Sequence, residues 1–436
     1  MAAGVVALWP GPLVSVAAQT PAPPQAESTA SAGGASPAAA LPRVQFGLQY
    51  RGRVEGTRGL GIIAGRDDEY YLNRVRLDVT MHAARWLRVV AQAQDAKVAA
   101  YSGGPAPGAL SNRLDLRQGY IEAGHAGVLV RAGRQELSFG EQRLIGGFDW
   151  GNTARSFDAL RVSYQRPGVR ADAFAASVVV VDPERLDRRR RDERLWGAYV
   201  SFDRVLPGGV LEPYVFVKQA DRAVSESGVA GRGDVTTGGL RATGTLPGGF
   251  DYSGDIAWQR GSLATDAVSA VAMHTRLGWR PSGWALRPRF VIEGNHASGD
   301  ERPGDGRRGT FDQLYPTNHA KYGIADAIGW RNMRSLTAGV ELTPARRVRV
   351  NADAHRLHLA TRADGLYLAG GARRLHHPDA RSTHVGTELD LQVTVAASAR
   401  LAVMAGVARL AAGAYLAEVA RDGVLWTPHV MWTVKF

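Results

Sequence analysis

The sequence predicts an all-β protein: a transmembrane, antiparallel, up-and-down β-barrel of eighteen strands. Apolar and polar residues alternate with period two through most of the chain, as in strands with one face in lipid and the other in a polar lumen. Short and long connections alternate between these segments. The chain ends on a further alternating segment whose last residue is Phe436. Together these three features are typical of outer-membrane barrels.

The composition of the 436 residues favours a barrel over a helical membrane protein. No uninterrupted apolar run reaches the roughly 18 residues that a membrane helix needs. The chain has no cysteine, which excludes disulfides and thiolate metal sites. Its net charge of +12 rests almost entirely on arginine. Because the guanidinium group binds carboxylates and phosphates bidentately, this bias favours anionic partners, although a high genomic GC content produces the same composition.

The first 42 residues are predicted to precede the barrel. Residues 1–18 are apolar and uncharged and end in small residues, so they resemble a secretory signal peptide without its positive n-region. Residues 19–42 are rich in Ala, Pro, Ser and Gly and predict a disordered linker. The barrel is therefore expected to occupy residues 43–436.

The period-two pattern places the strands one by one. In the second strand, for example, Arg74, Arg76 and Asp78 alternate with Val75 and Leu77. The predicted strands lie near 44–55, 70–81, 86–96, 114–123, 128–134, 157–164, 170–178, 195–202, 211–218, 237–245, 250–259, 270–279, 287–297, 334–342, 348–358, 383–395, 400–410 and 425–436. A soluble sandwich would show the same period.

The connections distinguish these alternatives. Even-numbered strands lead into short turns, such as 82–85 and 124–127, and odd-numbered strands lead into long loops, such as 219–236 and 298–333. Strict alternation of this kind indicates periplasmic turns and extracellular loops, although a propeller or sandwich stays open as an alternative.

Aromatic residues support the barrel prediction. The last strand is apolar on alternate positions and ends on Phe436, which resembles the signal that the outer-membrane assembly machinery recognises, so that machinery is an expected partner. Aromatic residues near strand ends predict girdles at the membrane interfaces. They are Trp86, Tyr120, Tyr164, Trp196, Tyr214, Trp258 and Trp279.

A long charged segment between the fifth and sixth strands is the strongest functional candidate. It contains Arg134, Arg143 and Arg155 together with several glycines and acids. Since long loops in compact domains are usually functional, we expect it to fold into the barrel mouth and narrow it. Arginines on strands, such as Arg74 and Arg161, should point into the lumen, because a lipid-facing arginine at mid-bilayer costs roughly 2–4 kcal/mol.

Three stretches resemble the bacterial alginate-export outer-membrane proteins. They are Gly133-Arg-Gln-Glu-Leu with Asp149-Trp and Arg155-Ser-Phe-Asp, then Ala297-Ser-Gly-Asp with Phe311-Asp-Gln-Leu-Tyr-Pro-Thr-Asn-His, and finally Val385-Gly-Thr-Glu-Leu-Asp. The resemblance extends over residues 44–436. It implies an eighteen-stranded monomeric channel with an arginine-rich, anion-selective lumen, in a family whose type member passes the polyuronate alginate.

The sequence therefore predicts an outer-membrane channel that passes an anionic polysaccharide or oligosaccharide such as alginate. Spaced arginines can pass a polyuronate along by weak binding at many sites. The expected pore residues are Arg74, Arg76, Arg134, Arg143, Arg155, Asp158, Arg161, Asp300 and Glu388. The alternative for each of them is an ion pair that only stabilises the barrel wall.

Two other functions remain open: a general porin without polysaccharide specificity, and an outer-membrane enzyme, which would need a Ser–His pair on the lipid side. We expect no enzyme activity, metal, cofactor or nucleic-acid partner. His376, His377 and Asp379 are interpreted as a loop rather than a metal site. The run Arg188–Arg191 is interpreted as an extracellular loop that can attract lipopolysaccharide or substrate.

Overall fold

The chain forms a β-barrel of eighteen long strands within the part that the computed structural model describes, residues 42–59, 66–103, 106–377, 379–419, 421 and 423–436. The predicted signal peptide and nearly all of the predicted linker lie outside the described residues. The strands are β1 Arg43–Arg58, β2 Asp67–Ala84, β3 Leu87–Ala99, β4 Asn112–His125, β5 Val128–Gln135, β6 Phe157–Arg166, β7 Val169–Val180, β8 Glu193–Leu206, β9 Gly209–Val224, β10 Ala230–Leu246, β11 Phe250–Leu263, β12 Asp266–Trp279, β13 Arg289–Ala297, β14 Met333–Ala345, β15 Val348–Leu359, β16 His384–Ala396, β17 Leu401–Ala412 and β18 His429–Lys435.

The sheet is antiparallel and closed. Each long strand pairs with its sequence neighbours, and β1 also pairs with β18 from Gln49↔Lys435 to Glu55↔His429. A short segment, Val424–Trp426, continues the line of β18 beyond a break at Pro428, which has no backbone N–H to donate. Closure leaves none of the eighteen described strands with an unpaired edge, and it confirms the predicted fold class.

Helical structure is minor in the described residues. It consists of the single turn Ala414–Ala417 and the 3-10 turn Pro247–Gly249. None of the helices in these ranges is long and apolar enough to cross a membrane.

Side-chain direction along the strands follows the predicted parity. Arg74 and Arg76 on β2 are 1% and 6% exposed and face the interior, whereas Leu77 is 50% exposed on the outer face. Val75 and Val79 share the outer face with Leu77. This arrangement places apolar side chains toward lipid and charged ones toward the lumen, because an unpaired charge in hydrocarbon is costly.

The connections differ between the two rims of the barrel. Tight turns at one rim include 85–86, 126–127, 167–168 and 207–208, and long loops at the other include 136–156, 181–192, 298–332 and 360–383. The prediction of strict alternation is wrong at 225–229 and 264–265, which are short although they follow odd strands. Strands β9 to β12 extend further than the sequence pattern indicated, so residues that were expected in loops belong to their hairpins.

The predicted aromatic girdles hold only in part. Trp86, Trp196 and Trp258 are exposed on the outer face. Tyr214 instead faces the interior and donates a hydrogen bond to Asp255 at 2.6 Å, so its inclusion in a girdle was wrong. The same holds for Tyr120, whose inward ring lies under the guanidinium group of Arg131.

Two long loops fold into the barrel and pair with each other. The Gly146 amide donates to the Tyr315 carbonyl at 2.9 Å, and the Tyr315 amide donates to the Leu144 carbonyl at 2.8 Å. We call this pairing of residues 142–146 with 314–317 the inner ribbon. The loops pack against inward aromatic residues of the wall, since Phe139 stacks on Phe174 with ring centroids 5.3 Å apart. Part of the interior is therefore an apolar core.

Candidate functional site

An arginine cluster forms where strands β1, β2 and β4 face the interior. Its members are Arg51, Arg53, Arg74, Arg76 and Arg117, all of them buried. The first four occupy consecutive inward positions on two neighbouring strands, with Arg51 directly opposite Arg74 in the ladder. Cross-strand register therefore concentrates positive charge on one patch of wall, where weak solvation makes electrostatic interactions strong.

Asp149, on the loop 136–156, reaches into this cluster. Its carboxylate Oδ1 accepts hydrogen bonds from Arg74 Nη1 at 3.0 Å and from Arg76 Nη2 at 2.8 Å. Its backbone carbonyl accepts a third from Arg51 Nη1 at 2.6 Å. The Asp149 side chain is nevertheless 46% exposed, so it is the member of this network that solvent in the lumen reaches.

The neighbouring Trp150 ties the loop to the wall. Its carbonyl accepts a hydrogen bond from Arg53 Nη1 at 2.6 Å, and the Arg53 guanidinium lies 3.9 Å from the ring centroid. The ring of His319 stacks on Trp150 at 3.6 Å. Because two groups cannot share one ring face at these distances, Trp150 is sandwiched between Arg53 and His319, which adds cation–π attraction to the packing.

The ion pairs of the cluster leave a surplus of positive charge. Arg53 pairs with Glu55 at 2.6 Å, and Arg117 pairs with Glu136. Arg51, Arg74 and Arg76 share the single carboxylate of Asp149. Five arginines thus face three carboxylates in the described contacts. A solute passing the cluster would meet a field with two uncompensated positive charges behind the exposed carboxylates of Asp149 and Glu136.

Arg143, one of the predicted pore residues, anchors the loop to the opposite wall. Its guanidinium lies 3.1 Å from Glu293 and 3.3 Å from Glu141, and it contacts His274 Nε2 at 3.2 Å and the Tyr322 hydroxyl at 3.3 Å. The positive charge of Arg143 is balanced by the carboxylates of Glu141 and Glu293, both of which contact its guanidinium group. The geometry is that of a buried attachment point rather than an open anion site.

Arg155 joins the two inner loops. Its Nη1 lies 2.9 Å from the Gly146 carbonyl, 2.7 Å from the Tyr315 carbonyl and 2.9 Å from the Pro316 carbonyl. The first of these groups belongs to the loop 136–156, and the other two belong to the loop 298–332. Arg155 therefore holds the inner ribbon together through main-chain acceptors.

Three further predicted residues serve the wall or a loop. Arg161 donates to Asp172 at 2.9 Å on the neighbouring strand. Glu388 accepts the backbone amide of Ala325 at 2.8 Å and so fixes the loop 298–332 to β16. Asp300 accepts two amides of its own loop. None of the three joins the arginine cluster.

Arg134 and Asp158 lie on the outer face of the barrel. Arg134 is the seventh residue of β5, not a loop residue, and it stands opposite Asp158 in the ladder with an Nε–Oδ1 distance of 2.8 Å. In the same register, Ala132 faces Leu160, which is exposed to lipid. The prediction that Arg134 lies on the constricting loop is wrong, because strand β5 continues through it with outward parity.

Sequence reasoning did not include Arg51, Arg53 and Arg117 among the pore residues. Arg51 and Arg53 share the polar face of the first strand, so parity could have found them. Arg117 is the unpaired residue at a register shift between β3 and β4, which the period-two pattern does not reveal.

Comparison with known proteins places this architecture in a family. The family model for alginate export matches residues 42–422. No curated protein sequence matches the chain significantly.

Similar solved structures include three porins of Pseudomonas aeruginosa. OccK11 (OpdR) is 11% identical with a TM-score of 0.58, over 90% of this chain and 96% of that chain. OccD3 (OpdP) is 11% identical with a TM-score of 0.60, over 90% and 91%. OpdQ is 11% identical with a TM-score of 0.60, over 90% and 98%. At these identities the likeness establishes the barrel fold alone. The family match over this fold indicates an outer-membrane channel, and the chain belongs to the alginate export family of bacterial outer-membrane barrels.

Proposed function

We propose that the protein is an anion-selective outer-membrane channel that passes an anionic polysaccharide or oligosaccharide such as alginate. The observation that carries the proposal is the arginine cluster, in which five buried arginines surround three carboxylates, of which Asp149 (46%) and Glu136 (40%) are the most exposed. Membership of the alginate export family supports the substrate class.

The Asp149 carboxylate suggests how a solute would pass. It occupies the position between Arg74 and Arg76 that a uronate carboxylate would take. A polyuronate offers one carboxylate per sugar, and each could exchange briefly with Asp149 before the next arrives. Competition by a built-in carboxylate keeps each binding event weak, which conduction requires.

A general porin without polysaccharide specificity is the second candidate. The observation that favours it is the same exposed carboxylate, because a passing solute meets Asp149 before the arginines behind it. On this alternative the cluster would position the loop, and selectivity among small solutes would be slight.

Planar-bilayer electrophysiology distinguishes the two candidates. Under a salt gradient, Arg76→Gln should lower the preference for chloride and Asp149→Asn should raise it, while soluble uronate oligomers should block the wild-type current. Both charge effects should shrink in 1 M salt, where the screening length falls to about 3 Å from about 10 Å at 0.1 M.

A matched control uses the outer face. Arg134→Ala removes an arginine from a similar Arg–Asp pair outside the lumen, so its reversal potential should equal that of the wild type. Unchanged reversal potentials in folded Arg76→Gln and Asp149→Asn barrels would refute anion selectivity through the cluster. Altered selectivity without uronate block would retain the anion channel and exclude the polyuronate substrate.

A further inference from the structure

The outer surface of the barrel carries an apolar groove across strands β6 to β9. It encloses about 440 Å³. Its floor includes the small residues Ala173, Ala175 and Ala198, and its sides include Leu160 and Trp196, both of them exposed. Small residues between bulky ones leave a furrow in the lipid-facing surface, into which an alkyl chain can settle.

An arginine-rich segment lies at the extracellular end of this groove. We call the loop 181–192 the arginine loop. Arg188 and Arg189 pair with the last two residues of β7. Arg194 follows on the outward face of β8, two residues and about 7 Å along the strand from Trp196. The groove and the arginines therefore form one continuous surface.

In the arginine loop, two acids make hydrogen bonds within the loop, whereas three arginines do not. Asp182 accepts backbone amides of its own loop at 3.1 and 3.2 Å, and Asp187 accepts the Asp182 amide at 3.0 Å. In contrast, Arg188, Arg189 and Arg191 are exposed, and their side chains make no hydrogen bond or ion pair with any residue in the described ranges. Asp182 and Asp187 thus hold the shape of the loop, and its exposed arginines outnumber its exposed acids, Glu184 and Asp192.

Tryptophans mark the depth of this surface in the membrane. Trp196 and Trp258 are exposed on neighbouring parts of the outer wall, and indole rings settle at the lipid–water interface. Arg194 and Arg260 are the next outward positions toward the rim with long loops. These arginines therefore stand at the level of lipid headgroups on the extracellular side.

We propose that this face binds a phosphorylated glycolipid of the outer leaflet, the lipid A part of lipopolysaccharide. An acyl chain fills the groove, and a sugar phosphate is held by Arg194 and by Arg189, which shares the outward face with Ala175 because it pairs with Val179. Arginine suits phosphate because its planar fork donates two parallel hydrogen bonds. A soluble polysaccharide would use the arginines but not the apolar groove, so the combination favours a lipid. This site is independent of the proposed transport function.

Native mass spectrometry of the purified barrel in detergent tests the proposal. The wild type should retain diphosphoryl, hexa-acylated lipid A in preference to phosphatidylglycerol. Combining Arg189→Ala and Arg194→Ala should weaken binding roughly 30-fold, at about 1 kcal/mol for each surface arginine. Ala175→Leu, which fills the floor of the groove, should weaken binding independently of charge.

Matched controls lie elsewhere on the barrel. Arg346→Ala removes an exposed arginine from a turn at the opposite rim, and Ala405→Leu enlarges an exposed outward residue on β17; both should bind lipid A like the wild type. Resistance of each barrel to SDS before heating verifies folding, and either test variant alone decides the question if the other fails to fold.

Several outcomes would overturn the proposal. Equal retention of phosphatidylglycerol would mean a surface for any anionic lipid. Undiminished lipid A binding by the folded double variant or by Ala175→Leu would show that lipid A binds elsewhere on the barrel. If soluble uronate oligomers bound to the arginines and lipid A did not, the loop would capture solute instead.

Discussion

Removing the Arg155 side chain should release the inner ribbon without unfolding the barrel. The single nitrogen Nη1 faces three carbonyls but has two hydrogens, so at most two full hydrogen bonds are lost in Arg155→Ala. At about 1.5 kcal/mol for each bond from a charged donor, the attachment weakens by about 3 kcal/mol. The population with a detached ribbon should then rise roughly 100-fold, since 1.4 kcal/mol is a factor of ten.

Limited proteolysis measures that population. Cleavage by proteinase K within the loops 136–156 and 298–332 should follow the equilibrium fraction of detached ribbon when opening is fast. The wild type and Arg346→Ala should be cleaved slowly at these loops, and Arg155→Ala should be cleaved roughly 100-fold faster while the barrel stays resistant to SDS. If Arg155→Ala were cleaved at a rate within about threefold of the wild type, Arg155 would not be the residue that holds the inner ribbon together.

Three other outcomes are expected from the structure. In Asp78→Cys the new thiol should react with a water-soluble maleimide, and in Leu77→Cys only with a lipid-soluble one; reversed reactivity would mean a one-residue shift in register. Lys321 lies on the loop 298–332, outside the strands, and burial lowers its pKa to about 8. The lysine loses its charge above that pH, so the anion preference of the wild type in bilayers should fall between about pH 7 and 9. The preference of Lys321→Arg should stay constant over this range, and a constant preference in the wild type would contradict the prediction. Gly323→Ala should detach the loop from β16, because Gly323 has a φ of +104° and its added methyl group would overlap the Glu388 carboxylate; unchanged protease resistance would count against that contact.

The strands were predictable because their pattern is under a strict physical constraint. One face of each strand meets lipid, so a charged residue there is costly, and Val75 and Leu77 mark that face as clearly as Arg74 and Arg76 mark the other. Parity also contained the answer for Arg134. Continuing the outward positions Val130 and Ala132 by one step places Arg134 outside the lumen, as the structure does.

The site was only partly predictable because it depends on contacts between distant segments. Trp150 stacks on His319, and Asp149 meets arginines from the first two strands. No local period specifies which loop residue will reach which part of the wall. Arg143 and Arg155 were predicted as pore residues. Their partners show that Arg143 attaches its loop to the opposite wall and that Arg155 attaches it to the other inner loop.

The apolar residues inside the barrel explain why charge is concentrated on one wall. Phe174 and Phe216 break the rule that lumen-facing positions are polar, and they do so because Phe139 of the inner loop packs on both. Where the inner loop packs its apolar side chains on the wall, the inward positions are shielded from water and are apolar. The wall of β1 to β4 instead carries arginines and amides at its inward positions. A loop held by an apolar core on one side can carry Asp149 to a fixed place on the other. Charge changes at the arginine cluster should therefore alter selectivity, whereas changes at the core should first alter the position of the loop.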